Sequence, residues 1–191
     1  MNVTVWMPYL IAVNALGFAL YTADVLLYAC TPPEKPDPLI LGISLLGGSP
    51  GVLAGMLIFR TSALLSRICT ACLAVVQLLI LLVVCGQVGD TLILDPLPFL
   101  ASHRWLLLWL TGINLVTLSV FMVDKWNAIR HLTRVPNGTL ILLSWMGGSL
   151  GALTAMYLIR HKIRKKAFTR GIPLILATQV LLLLYLINSP V

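Results

Sequence analysis

Residues 9–60 are written again as residues 109–160, at a constant offset of 100. Asn14 pairs with Asn114, Asp24 with Asp124, Pro36 with Pro136 and Ser44 with Ser144. Gly47-Gly48-Ser49-x-Gly51 pairs with Gly147-Gly148-Ser149-x-Gly151, Met56 with Met156 and Arg60 with Arg160. The shared letters are Gly, Asn, Asp and Arg, which serve turns, close approaches and polar contacts. What repeats is therefore a structural device, and the fold must accommodate it twice.

The device sits in an apolar chain. Hydrophobic residues make up 59% and charged residues 10% of the sequence, against about 25% charged in a soluble domain. Mean hydropathy is +0.99. Apolar runs fall at 6–29, 39–59, 63–86, 105–128, 139–159 and 172–188. Each is close to the roughly 20 residues that an α-helix needs to cross hydrocarbon. Without water to satisfy the backbone, such runs must be helical, and they lack the two-residue alternation of a barrel. The expectation is an all-α polytopic membrane protein, with six membrane helices arranged as two three-helix repeats.

The repeats are bounded as 1–86 and 105–191, with a linker over 87–104. No Lys or Arg precedes the first run, so a cleaved signal is not expected. Prolines in 31–38 and the Val135-Pro136-Asn137-Gly138 stretch exclude helix within each copy. Cys30, Cys69, Cys72 and Cys85 lie in or beside apolar runs, which argues against a disulfide framework. The Cys69-x-x-Cys72 pair is read as helix packing. No metal site and no cofactor is expected, since no nucleotide-binding or hydrolase motif is present.

Two paths through the membrane compete. If all six runs cross, Arg60, Arg67, Lys125, Arg130 and Arg134 face one side and the other bases face the opposite side. The copies would then be inverted, as in transporters. If instead the middle run of each copy dips in and returns, breaking at Gly47-Gly48 and Gly147-Gly148, every base except Arg104 shares one side. That split fits the cytoplasmic excess of Lys and Arg better. The run length, which matches the hydrocarbon thickness, favours full crossing. In both cases 160–170 is cytoplasmic.

Three groups of residues could carry chemistry. Gly47, Gly51 and Gly55, and Gly147, Gly151 and Ala155, recur every four positions and are expected to form faces on which one copy packs against the other. A break aiming backbone groups at a ligand is the sharper alternative, with Pro50 supporting it in copy one. Asp24 and Asp124 end the first helix of each copy, and a carboxylate in hydrocarbon is a functional candidate. Arg60 and Arg160 are the expected partners, while Asn14 and Asn114 suit interhelical hydrogen bonds. Finally, 160–170 carries six bases, a field suited to anionic headgroups. Copy one has no such stretch. His161 there is the candidate acid–base group.

Copy two, from Asn114 through Asp124-Lys125 and Gly147-Gly148-Ser149-x-Gly151-Ala152 to Met156, Arg160-His161-Lys162, Lys166 and Phe168, resembles the bacterial family of domain of unknown function 1294 (DUF1294). Ile163 replaces the family's usual Thr. Copy one matches at Asn14, Asp24, Gly47, Gly48, Ser49, Gly51, Met56 and Arg60, and lacks the His-Lys stretch. The resemblance implies a tandem duplication in a bacterial inner membrane and confers no activity.

The leading functional expectation is a small transporter or channel for a polar or anionic solute. Its site would lie between the repeats and use Asp24, Asp124, Arg60, Arg160, His161, Lys162, Asn14 and Asn114. The alternatives are a membrane enzyme or binding protein acting on anionic lipid headgroups at the cytoplasmic face, or an anchor subunit with a basic docking loop. Membrane lipid is the expected partner; nucleic acid is not.

Overall fold

A computed structural model of the chain describes residues 3–27, 38–59, 64–84 and 93–189. The described residues are helical apart from short connections. Among the described residues, six stretches are long and apolar enough to cross a membrane: Pro8–Leu26, Leu39–Phe59, Leu64–Val83, Arg104–Ile129, Asn137–Leu158 and Lys166–Asn188. The chain divides into two compact units, Met1–Val88 and Gly89–Val191.

The first unit contains α1 (Val3–Leu27), α2 (Pro38–Ile43), α3 (Ser49–Phe59) and α4 (Leu64–Val84). Between α2 and α3, Ser44–Gly48 forms a single wide turn in which Gly47 has φ 113° and ψ −3°. Only glycine adopts that conformation without strain. It ends one helix and starts another in a new direction. Ile40 from α2 joins Tyr21, Val52 and Met56 in one buried cluster, with Val25 and Phe59 against it. A straight helix would hold Ile40 and Met56 roughly 24 Å apart. Gly17 of α1 likewise faces both Ile43, before the turn, and Val52, after it. The segment is a helical hairpin whose two legs pack on α1. Pro50 does not cause the break: it is the second residue of α3, where a missing N–H costs nothing.

The second unit repeats this path. It contains α5 (Leu97–Ser102), α6 (Arg104–Ile129), α7 (Asn137–Leu143), α8 (Ser149–Leu158), α9 (Lys166–Thr169) and α10 (Gly171–Asn188). Gly147, at φ 110° and ψ −1°, turns the chain within Ser144–Gly148. The core gathers Phe121 from α6, Leu140 and Ile141 from α7, Ala152, Ala155 and Met156 from α8, Phe168 from α9, and Ile172 and Ile175 from α10. The expected linker contributes structure here. Ile93 exchanges two hydrogen bonds with the Asn188 amide, at 2.6 and 2.9 Å.

The glycine faces close within each unit. A Cβ on Gly51 would lie 2.0 Å from the Asn14 carbonyl oxygen, and one on Gly151 would lie 2.2 Å from that of Asn114. Gly55 rests on the Tyr21 ring. Ala155, in the same register, is fully buried. The expectation that these faces join one copy to the other is corrected: each packs α3 or α8 onto the first long helix of its own unit. Gly47 and Gly147 do not belong to the face, because they are the turns.

Candidate functional site

A helix break strands backbone carbonyls, and in an apolar setting each stranded group costs several kcal/mol. Both hairpin tips resolve this with side chains from neighbouring helices. Asn14 donates to the carbonyls of Leu10 (2.8 Å) and Gly47 (3.1 Å) and accepts from the Gly51 N–H (2.8 Å). Asn114 does the same with Leu110 (2.7 Å), Gly147 (3.0 Å) and Gly151 (2.6 Å). Gln77 donates to the carbonyls of Ser44 and Leu45 and accepts from the Ser49 hydroxyl. Gln179 donates to Ser144 (2.8 Å) and Trp145 (3.1 Å) and accepts from Ser149. The Tyr9 hydroxyl donates to Leu46, and the Trp109 indole to Met146. The tip carbonyls are thus engaged within the chain, and the reading of a break aimed at a ligand is corrected.

The other end of the second hairpin is built around Asp124, whose side chain is fully buried. One carboxylate oxygen accepts the Val135 N–H at 2.9 Å, just ahead of α7. The other accepts from His161 Nε2 and from Lys162 Nζ, each at 2.7 Å, just beyond α8. A carboxylate has no proton to offer, so Nε2 carries the hydrogen. Lys125 caps α8 by donating to the Ile159 carbonyl. Lys162 lies 5.1 Å from the centroid of the Phe168 ring, which meets Phe121 edge-on. The mouth of the hairpin is therefore tied to the end of α6 by one acid and one base.

The turn that delivers His161 and Lys162 is strained. Arg160 has φ 45° and Lys162 φ 59°, left-handed values that cost about 1 kcal/mol each in a residue bearing a Cβ. The His161 N–H reaches back to the Met156 carbonyl at 3.2 Å, which closes α8 in a form where glycine is usual at the Arg160 position. Strain of this kind collects at functional sites.

Beside this turn opens a cavity of about 720 Å³. Arg134, Arg160, Arg164 and Lys165 line it, as do His161 and Lys162. The first four are exposed and have no carboxylate partner among the described residues. Burial pushes the Lys162 ammonium below the usual lysine value, and Asp124 draws it only part of the way back.

Residues 114–168, running from the tip asparagine to the phenylalanine under Lys162, match the family model described as "Protein of unknown function (DUF1294)". The chain is also 33% identical over 75 residues to "Uncharacterized protein YsdA" of Bacillus subtilis (strain 168), covering 39% of this chain and 84% of that protein. The chain belongs to the DUF1294 family. No solved structure matches it. The DUF1294 match lies within the second unit, and the parts of the hairpin account for its pattern. Asn114 stitches the tip, Gly147 turns it, Gly151 lets it approach α6, and Asp124, His161 and Lys162 fasten the mouth.

Of the expected site residues, Asp124, His161 and Lys162 are brought together, with Arg160 on the cavity beside them. Arg160 was the expected partner of Asp124; that pairing is corrected to His161 and Lys162. Asp24 lies in α1, and Arg60 falls outside the described residues. Asn14 and Asn114 serve the hairpin tips. Sequence reasoning missed Gln77 and Gln179. The signal was present: each is a lone amide inside an apolar run, Val-Val-Gln-Leu-Leu in one and Ala-Thr-Gln-Val-Leu in the other. Cys69 and Cys72 both lie on α4, and Cys72 is buried.

Proposed function

We propose that the chain is a bacterial cytoplasmic-membrane protein formed by duplication of a DUF1294 unit. On this reading its second unit binds an anionic group, that of a lipid headgroup, at the cytoplasmic mouth of a re-entrant hairpin. The observation that carries it is the basic cavity. Arg134, Arg160, Arg164 and Lys165 surround a space large enough for a headgroup, while the buried carboxylate beside it is saturated by His161, Lys162 and the Val135 N–H. Uncompensated cations near an interface attract anionic lipid at roughly 1 kcal/mol per base.

The membrane assignment rests on the six apolar stretches and on outward faces rich in bare aliphatic side chains, among them Leu45, Leu57, Ile58, Leu108, Leu115 and Leu158. With both middle runs returning to the side they entered from, every base except Arg104 shares the cytoplasmic side. The offset-100 hydrogen bonds of Asn14 and Asn114 support duplication. The first unit lacks the His-Lys stretch and is read as a scaffold. Transport was motivated by paired polar residues, but the two asparagines are occupied by hairpin backbone, and no observation favours a solute path.

The test is titration of the purified, delipidated chain in neutral detergent with short-chain phosphatidylglycerol and phosphatidylcholine. The anionic lipid should bind at least tenfold more tightly, and Arg164→Gln with Lys165→Gln should remove most of that margin. Equal binding of the two lipids would refute the reading.

A further inference from the structure

Five side chains of the cavity wall are arginines or lysines, set among apolar residues and Asn137. Arginine and lysine side chains have no acceptor to offer, and an anion answers them. Asn137 has both a donor and an acceptor, and so does a neutral His161. The His161 Nε2–H is committed to Asp124 at 2.7 Å. In the neutral ring this fixes the tautomer and leaves Nδ1 with a lone pair and no hydrogen. Nδ1 has no hydrogen-bond partner among the described residues. The ring lines the cavity, and its side chain keeps 15% exposure.

A bare anion would meet this lone pair as one acceptor meets another. A ligand that also carries a donor next to its phosphate would satisfy both kinds of wall. We infer that the cavity takes a phosphate ester bearing a free hydroxyl, with Arg160, Arg164 and Lys165 on the phosphate and His161 Nδ1 accepting from the hydroxyl. This rests on the anion-binding reading and specifies its ligand. The Asp124 carboxylate acts through His161: it positions the ring and does not touch the ligand. The same chemistry is found in a polyol lipid headgroup and in a soluble glycerol phosphate.

The experiment compares two short-chain lipids of equal charge on the full chain in neutral detergent: phosphatidylglycerol, which has headgroup hydroxyls, and phosphatidylmethanol, which has none. Phosphatidylglycerol should bind about fivefold more tightly, the worth of one net hydrogen bond. His161→Leu should bring the two affinities together while phosphatidylmethanol binding persists, which also shows that the variant is folded. His161→Gln, whose amide can donate to Asp124 and accept from a hydroxyl, should keep part of the preference. Competition by glycerol 3-phosphate would assign the site to a soluble ester, and its failure to compete would assign it to lipid. Equal affinities in the unmodified chain would overturn the inference and leave the anion reading standing. Binding of phosphatidylglycerol no tighter than that of phosphatidylcholine would remove the anion reading itself.

Discussion

The Asp124 carboxylate and the His161 ring meet at 2.7 Å. That contact joins the end of α6 to the far leg of the hairpin. Lys162 shares the carboxylate and is nearly as buried, with 6% of its side chain exposed. Removing one member of such a pair strands the other. Asp124→Ala should therefore destabilise the second unit by about 3 kcal/mol, read as a lowered midpoint in unfolding by denaturing detergent. An unchanged midpoint would mean the mouth is held by something else.

The glycines divide into two classes with opposite expected outcomes. Gly151→Ala drives a Cβ into the Asn114 carbonyl and Gly147→Ala forces a side chain into the left-handed region. Each should cost about 1–3 kcal/mol. Gly112 lies inside α6 with open space where its Cβ would be, so Gly112→Ala should gain up to about 1 kcal/mol. A melting series on these three variants checks the ordering.

Arg160 stands where a glycine would be unstrained. Arg160→Gly should raise stability by about 1 kcal/mol while weakening anionic lipid binding several-fold. If binding holds and stability falls, the strained turn has no part in the site.

Lys162 sets a pH dependence. Burial holds its folded-state pKa below the ordinary value of 10.5. Between the folded and unfolded values the unfolded chain binds more protons. This group's contribution to stability therefore rises with pH across that window and is complete above 10.5. Its charge, in contrast, is lost from the folded protein sooner than an ordinary lysine's would be. Anion binding should decline on the alkaline side below that value, and Lys162→Arg, which stays charged, should flatten the decline. Titrations across alkaline pH on both forms decide the matter.

The hairpin also fixes which residues share a side. In a cysteine-free background, Leu132→Cys ahead of α7 and Ile163→Cys beyond α8 should label from the same face of sealed vesicles. Labelling from opposite faces would require the 137–158 segment to cross.

Helix content was legible, and so were the two glycine breaks, because apolar runs and Gly-Gly-Ser are local patterns. The path of 39–59 and 139–159 was not. Their length matched one straight helix, and the bend shows only in contacts distant in sequence: Ile40 and Met56 in one buried cluster, and Val135 and His161 on one carboxylate. The amide pair Gln77 and Gln179 stayed hidden because it lies beyond the repeated segment and at an offset two residues longer than the rest of the device. Asp124 was singled out for its position in an apolar run, but its partners were not, since a strained turn aims Lys162 inward and leaves Arg160 on the cavity.

The amides and the indole gathered around Gly147 act as built-in solvent. A cation arriving at that bend would find the oxygens of Ser144, Trp145, Met146 and Gly147 already facing N–H groups. The bend is chemically finished and needs no visitor to form. Whatever this chain recruits from its surroundings has to be recruited at the opposite end, where positive charge outnumbers its counterweight.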